Sequence, residues 1–278
     1  MAEYSRTTYN LNNRIVFNDV TTDTTKYVLL QTPQITDTLS INVEEQKPEE
    51  VGIVDFGTKQ GKGTWEVPIL LWASSLANMS QLIQNVKEAL NPDLMELDAT
   101  YGEATSNLGY HPLDWTETVG ATSRNFRIYV KSVEMPQIPN DSLSGLAREG
   151  KVLLKARDPR KYLQSQTTLS GAGTAVNAGT FTTPVIITIT ATGATSTSLS
   201  INNTTTGKSV LITTAMANND VLVIDTLLHS VKLNGVEKRS MLGAGTDWFL
   251  LNPGNNTITI SNGTNATVST AWRSAWPI

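Results

Sequence analysis

Charge nearly stops at residue 162. Residues 1–162 hold 37 of the chain's 46 charged side chains, and residues 163–278 hold nine. The run 151–157 leads into Asp158-Pro159-Arg160-Lys161-Tyr162, and the chain beyond is rich in Thr, Ser, Asn and Gly. So abrupt a change in composition predicts two folded units of different chemistry. At roughly 150 residues per domain, a chain of this length has room for both. The residue before a proline favours extended backbone, so Asp158-Pro159 reads as the end of the first unit. The expected division is a first domain over 1–162, a linker over 163–182 and a second domain over 183–278.

The two parts also differ in charge balance. The first carries 16 basic and 21 acidic residues, net −5, and the second five basic and four acidic, net +1. Tight nucleic-acid binding needs many Lys and Arg to neutralise phosphates, so a pI near 5.3 argues against it. A surface that DNA slides past without sticking stays compatible with these numbers. There is no cysteine, which removes disulfides, thiolate metal sites and cysteine nucleophiles and fits a reducing compartment. The first residues lack the apolar stretch of a signal peptide, and the longest apolar run, near 67–73, is far too short for a membrane span. The expectation is a soluble protein made without a secretion signal.

Strand signals dominate residues 1–162. Short β-branched and aromatic runs bounded by turn residues fall at 27–31, 39–43, 51–56 and 64–71. The run 94–101 reads as a further strand, 102–123 as loop, and 126–133 as an alternating strand. In that strand Phe126, Ile128 and Val130 share one face, and Arg127, Tyr129 and Lys131 the other. Residues 143–146 and 151–157 follow. One helix is clear. Ser74 is placed to cap it. Leu76, Met79, Ile83, Val86 and Leu90 recur at spacings of three and four, with Leu82 and Ala89 widening the stripe, and Asn91-Pro92 ends it. A single amphipathic helix among strands lays its stripe on a sheet or barrel.

Beyond the connector, short strands recur at 185–190, 199–202, 209–213, 221–225, 230–233, 248–251, 257–261 and 267–272. No helical period interrupts them, and this regular spacing predicts a β-sandwich. Asn234-Gly235 predicts a tight hairpin, because a type I′ turn needs positive φ at both positions. The expected class is mainly β, with an α+β first domain and one flanking helix.

Candidate chemistry is sparse. Gly57-Thr58-Lys59-Gln60-Gly61-Lys62-Gly63-Thr64 resembles a phosphate-binding loop, but its glycines are one residue too close, Gly63 splits Lys62 from Thr64, and a strand follows where a helix is needed. A mobile hairpin loop over 57–63 is the better reading. His111 and His229 lie in different units without metal-ligand spacing, and both read as surface or loop residues. Glu44, Glu45, Glu49 and Glu50 around Pro48 read as a solvated acidic turn. Asp93, Glu96, Asp98 and Glu103 invite a glycosidase reading, but paired carboxylates need a cleft and a set separation. Trp248 and Trp272, inside alternating strands, are expected in the sandwich core, and Trp276 is left open. The sequon Asn262-Gly263-Thr264 reads as turn composition. No residue is assigned as catalytic, metal-binding or cofactor-binding, and the chain is read as not an enzyme.

Several short patterns then fall in one order. They are Ala89-Leu90-Asn91-Pro92 at the helix end; the closing segment 146–162; Thr183-Pro184-Val185-Ile186-Ile187; and the run 200–208 with its N-x-T-G-like turn. Asp220 to Asp225, Val231-Lys232-Leu233-Asn234-Gly235, and Trp248-Phe249-Leu250-Leu251-Asn252-Pro253-Gly254-Asn255-Asn256 complete the series. In that order the chain resembles the distal tail proteins (Dit) of long-tailed, non-contractile bacteriophages along nearly its whole length. The resemblance implies a tail-tube-like, barrel-like first domain that closes a homo-hexameric ring, and a galectin-like β-sandwich on the ring's outside. It implies a structural virion protein, assembled in the host cytoplasm, that joins the tail tube protein to the tip or baseplate hub. Receptor-binding proteins are further implied partners, and DNA passes through the channel without specific binding. Two other classes compete. One is a carbohydrate-binding or adhesion module of a tail tip or fibre, suggested by the sandwich and its tryptophans. The other is an enzyme acting on cell-wall glycan, suggested only by scattered carboxylates.

Overall fold

A computed structural model describes residues 7–30, 40–45, 54–60, 64–97, 110–119, 121–138, 146–156 and 160–277. The chain divides into two compact units, Met1–Lys161 and Tyr162–Pro277. Strands dominate both, as the sequence predicts.

The first unit contains strands β1 (Tyr9–Leu11), β2 (Ile15–Phe17), β3 (Lys26–Leu30), β4 (Ser40–Glu45), β5 (Val54–Gln60) and β6 (Thr64–Ala73). Helices α1 (Leu76–Ala89) and α2 (Pro92–Leu97) follow, then β7 (His111–Val119), β8 (Thr122–Ser132) and β9 (Ala147–Ala156). The main sheet runs β2-β1-β7-β8-β9-β6-β3, and its pairings are antiparallel. Register puts Tyr9, Trp115 and Phe126 in one row, and Leu11, Leu113 and Ile128 in the next. Leu11, Leu113 and Ile128 belong to the core that also takes Val67, Ile69, Leu71 and Met79, Leu82, Val86 and Leu90 of α1, with Tyr9 and Trp115 packed against it. Asn18 links the two end strands. Its N–H donates to Val28 O at 2.8 Å, and its side-chain oxygen accepts the Leu30 N–H at 2.5 Å. One residue at positive φ thereby carries hydrogen bonding from the end of β2 to β3 and curls the sheet toward closure.

Several sequence expectations are corrected here. The cap of α1 is Ser75, whose Oγ accepts the Asn78 N–H at 3.1 Å; Ser74 instead takes the Asn78 side-chain amide. The buried stripe is Met79, Leu82, Val86, Ala89 and Leu90. Ile83 is half-buried, and Leu76 is 64% exposed. The sheet covers only one flank of a stripe that the sequence drew too wide. The expected strand over 94–101 is overturned, because Pro92–Leu97 is helical and the rest lies outside the described residues. Pro92 ends α1 and also opens α2, where a missing N–H costs nothing. Asn91 caps that turn through the Asp93 N–H at 2.9 Å. Arg14 seals both helix ends, donating to Ala89 O at 3.5 Å and to Leu94 O at 3.0 Å.

The loop expected over 102–123 contains β7 and the start of β8. Residues 57–60 belong to β5, which pairs with β4 rather than forming a hairpin with β6. Both faces of β8 are buried from Phe126 to Val130, so its alternation is one of chemistry more than of exposure. Arg127 lies on the face away from the core and is held there by Asp114, Nε to Oδ1 at 2.7 Å and Nη2 to Oδ2 at 3.0 Å. Residues 143–145 and Asp158-Pro159 fall outside the described residues.

Strand β10 (Arg160–Leu163) spans the division. The second unit then has β11 (Thr167–Ser170), β12 (Gly173–Asn177), β13 (Val185–Ala191), β14 (Leu199–Asn203), β15 (Lys208–Ile212) and β16 (Val221–Asp225). It continues with β17 (Ser230–Leu233), β18 (Val236–Glu237), β19 (Gly254–Ser261), β20 (Ala266–Trp272) and β21 (Ala275–Pro277). A six-stranded sheet, β11-β20-β13-β16-β17-β18, and a four-stranded sheet, β12-β19-β14-β15, enclose one core. Clean alternation builds it. Val185, Ile187, Ile189 and Ala191 point inward from β13, while Ile186, Thr188 and Thr190 point out. Asn234 (φ 49°) and Gly235 (φ 83°) make the predicted hairpin turn.

The stretch expected as a connector is corrected, because it holds β11 and β12, which pair with β20 and β19. The expected strand at 248–251 is also absent; only Leu251 makes a bridge, to Thr183. Buried asparagine amides replace the missing ladder. The Asn256 side chain accepts the Asn252 N–H at 3.0 Å and donates to the carbonyls of Asn252 and Gly254. Asn203 reaches Leu250 O and Asn256 Oδ1, both at 3.4 Å, and Asn177 donates to Phe181 O at 2.7 Å. A buried amide costs free energy unless bonded, and these three satisfy an irregular segment that no strand reaches.

Candidate functional site

The candidate catalytic residues do not converge. His111 is 1% exposed, which corrects its reading as a surface residue. Its Nε2 lies 2.8 Å from Met95 O and its Nδ1 2.8 Å from the Asn12 amide, so it ties α2 and the β1–β2 turn onto β7. Among the described residues no group of three or more His, Cys, Asp or Glu could hold a metal ion. Asp93 is exposed at the start of α2. Asp98, Glu103, Glu49, Glu50 and Pro48 lie outside the described residues. The glycine-rich segment runs from strand β5 toward strand β6, with no helix after it to cradle a phosphate. Asn262 commits its amide to Ser198 O at 3.0 Å, which makes the sequon a turn.

Two acidic residues have depressed pKa values from local bonding. Asp19 falls to about 2, chiefly because the Thr21 hydroxyl donates to its carboxylate, and Asp23 falls through the Thr25 hydroxyl. Both are turn devices in 19–25, where each carboxylate collects the hydroxyl and N–H two residues on.

What remains is surface. In the first unit a shallow groove runs along α1, lined by Ser80, Ile83, Gln84, Lys87, Asn91 and Met135 among others. Leu76, Leu94, Val133 and Met135 are exposed on this unit. In the second unit both outer sheet faces are nearly free of charge. Thr168, Ser170, Thr267, Ser269, Thr188 and Thr190 cover much of one. Thr174, Thr257, Thr259, Ser200 and Asn202 cover much of the other.

The tryptophans separate by position. Trp272 is buried, and its indole N–H donates to Val176 O at 3.0 Å. Trp276 is half-buried on β21. Trp248 is half-buried on the irregular segment, which corrects its placement inside a core strand. His229 lies flat on it, with ring centroids 4.8 Å apart and planes 15° apart. Arg239 stands over the same indole at 5.9 Å and donates to His229 O at 2.6 Å. The sequence singles out His229 and Trp248 separately and gives no sign of Arg239 or of their meeting. The available signal was a histidine closing a hairpin where this chain otherwise uses Asn or Gly.

Comparison with known proteins follows these surfaces. Residues 178–276 match the family model of the siphovirus-type tail component, C-terminal domain. No curated protein matches the sequence. Among solved structures, the chain is similar to the Dit protein (gp 19.1) of phage SPP1, at 13% identity and a TM-score of 0.60. That likeness covers 97% of this chain and 98% of the other, and shows a shared fold. A chain of the phage p2 baseplate in its activated conformation with Sr aligns at 9% identity and a TM-score of 0.48, over 95% of this chain and 97% of that one.

Proposed function

Because the chain belongs, through residues 178–276, to the siphovirus-type tail components and is a structural protein of a phage tail, we propose that it is the adaptor joining the tail tube to the tip or baseplate. In this reading six copies close a ring through the first domain, residues 1–162, and the ring leaves a channel for DNA. The second unit, Tyr162–Pro277, is the galectin-like sandwich that meets tip, hub or receptor-binding proteins. Assembly takes place in the host cytoplasm, and the function is mechanical, with no catalytic step.

The observation that carries this reading is a tail-component match over the second unit, in a chain that follows the SPP1 Dit fold along 97% of its length. That protein is described as a paradigm of the hub adsorption apparatus in phages infecting Gram-positive hosts. Charge agrees with the proposal. A first part of net −5 offers passing phosphates few partners, so DNA would not be trapped. Among the described residues, seven of the nine exposed large hydrophobics (Val16, Val20, Leu76, Leu94, Val133, Met135 and Leu146) lie in the first unit. The uncharged, hydroxyl-rich faces of the second unit suit a polar, hydrated contact.

The test is the purified full chain, by light scattering and negative-stain imaging. The expected result is a particle of six chain masses with a six-fold outline and a central hole. A strict monomer at high concentration, with no such ring in virions, overturns the reading.

A further inference from the structure

Left-handed backbone is costly for residues with a Cβ, and asparagine tolerates it best. Among the described residues eight non-glycine positions have positive φ, and seven of them are asparagine. The eighth is His229, at φ 53°. It is the last residue of the turn between β16 and β17, which the pair Asp225 and Ser230 closes. That turn is already held without it. The Asp225 carboxylate accepts the N–H groups of Leu227 at 2.8 Å and Leu228 at 2.9 Å. Histidine also tolerates this region, so the backbone alone assigns it no role; what sets His229 apart from the seven asparagines is the ring it carries.

The ring's surroundings say what it does. His229 and Trp248 form a stacked pair, exposed on the histidine side, with the Arg239 guanidinium at 5.9 Å from the indole. Arg239 is tied to the corner by its bond to His229 O. Trp248 stands on the segment that the buried amides of Asn203 and Asn256 hold in place, so the platform is rigid. Charge gathers at the same place. Lys232, Lys238 and Arg239 are three of the second unit's five basic residues, all within eight positions. Three of its four acidic residues are turned to other donors, and the fourth, Asp247, is exposed next to Trp248 in the chain. Asp220 takes the Ala217 N–H and the Asn234 amide, Asp225 caps its turn, and Glu237 takes the Val231 N–H.

We propose that His229, Trp248 and Arg239 form a binding site for an acidic sugar, one whose ring carries a carboxylate or a phosphate. The outer face of the stacked imidazole is a flat, polarisable surface for the C–H face of a pyranose. With one Nη2 N–H held by His229 O, the guanidinium keeps further N–H donors in one plane for an oxyanion, which a lysine cannot match in geometry. A neutral sugar satisfies only the stack, and a bare anion only the fork. The site lies wholly in the second unit and does not depend on the ring reading.

The experiment titrates the full-length chain with sodium glucuronate, glucose 6-phosphate, glucose and inorganic phosphate. Tryptophan fluorescence and saturation-transfer NMR are the readouts. At least one acidic sugar saturates the protein, about tenfold more tightly than glucose or phosphate, as expected when a charge-assisted hydrogen bond is added. The preferred acidic sugar identifies the acid. Arg239→Ala weakens it about tenfold, and His229→Asn, which keeps a left-handed corner, weakens it by a similar factor. An unchanged thermal melt in both variants separates loss of the site from loss of the fold. The proposal is overturned if neither acidic sugar saturates, if both variants bind as the parent does, or if phosphate binds as tightly as glucose 6-phosphate.

Discussion

The two units finish their folds with different chemistry. The first adds ionic groups to the neutral contacts that Asn18, Ser75 and Asn91 make at its sheet ends and helix starts. Arg14 seals α1 and α2, Arg127 pairs with Asp114, and Lys161 meets both oxygens of Glu117 at 2.8 Å while lying 4.6 Å from the Phe126 ring. The second does the equivalent work with neutral amides and hydroxyls, through Asn177, Asn203, Asn256 and Thr183. The break in charge at residue 162 is therefore a change in how backbone and buried polar groups are satisfied. Ion pairs answer to salt and pH, whereas amide networks do not. The comparison predicts that the first unit responds to salt more than the second does.

The largest blow to this comparison falls on packing, which both units share. Met79→Asp puts an unpaired charge under α1 and is expected to cost about 4 kcal/mol or more. Ile83→Asp, on the half-buried flank, is expected to cost clearly less. Thermal melts that rank the two equally would refute the burial assigned to the stripe. Next come matched deletions of the two chemistries. Asp114→Ala strands a largely buried guanidinium, and Asn256→Ala strands the carbonyls and N–H of the 252–254 turn. Each is expected to cost about 3 kcal/mol. The comparison sharpens if the first loss shrinks in molar salt and the second does not, measured by urea unfolding. A smaller effect of opposite sign is expected from Thr270→Val. The Thr270 hydroxyl is fully buried without a hydrogen-bond partner, so its replacement by a methyl group should stabilise by about 1 kcal/mol. A lower melting temperature would show that the hydroxyl has a partner. Smallest is Asp19, whose folded pKa of about 2 lies below its ordinary 3.8. A depressed carboxylate stabilises the fold above the ordinary value, and that contribution is lost as pH falls through about 2. Asp19→Asn should flatten the stability profile between those two values, and an unaltered acid limb would break the assignment.

The sequence was most legible where one physical demand governed each position. The inward alternation of β13 follows from period-two burial, and the stripe on α1 from period-three-and-four burial. Reading failed where a residue served two demands. Pro92 stops one helix and starts the next, so a stop signal concealed α2. His111 has polar chemistry, but its two nitrogens are satisfied by Met95 O and Asn12, contacts 16 and 99 residues away in sequence. Strands β11 and β12 lie at sheet ends and are Thr- and Gly-rich, which made them look like a connector. Trp248 shares its apolar run with Phe249 and Leu251, and only the buried asparagines reveal why that run is not a strand. The candidate site was the least legible part, because His229, Arg239 and Trp248 meet through a turn, a short 3-10 segment and an irregular stretch, none of which has a period.

Strand β20 has a consequence for how the protein is made. It lies between β13 and β11, so residues 266–272 complete a sheet begun about a hundred residues earlier. Hydrogen bonds of such long sequence separation form late in folding. A ribosome-bound chain exposes β13 as a bare edge until nearly all of the second unit has been synthesised. A chain cut short before residue 266 keeps that edge permanently open to other strands. The last strands of the sandwich thus cover an edge that every shorter chain leaves open.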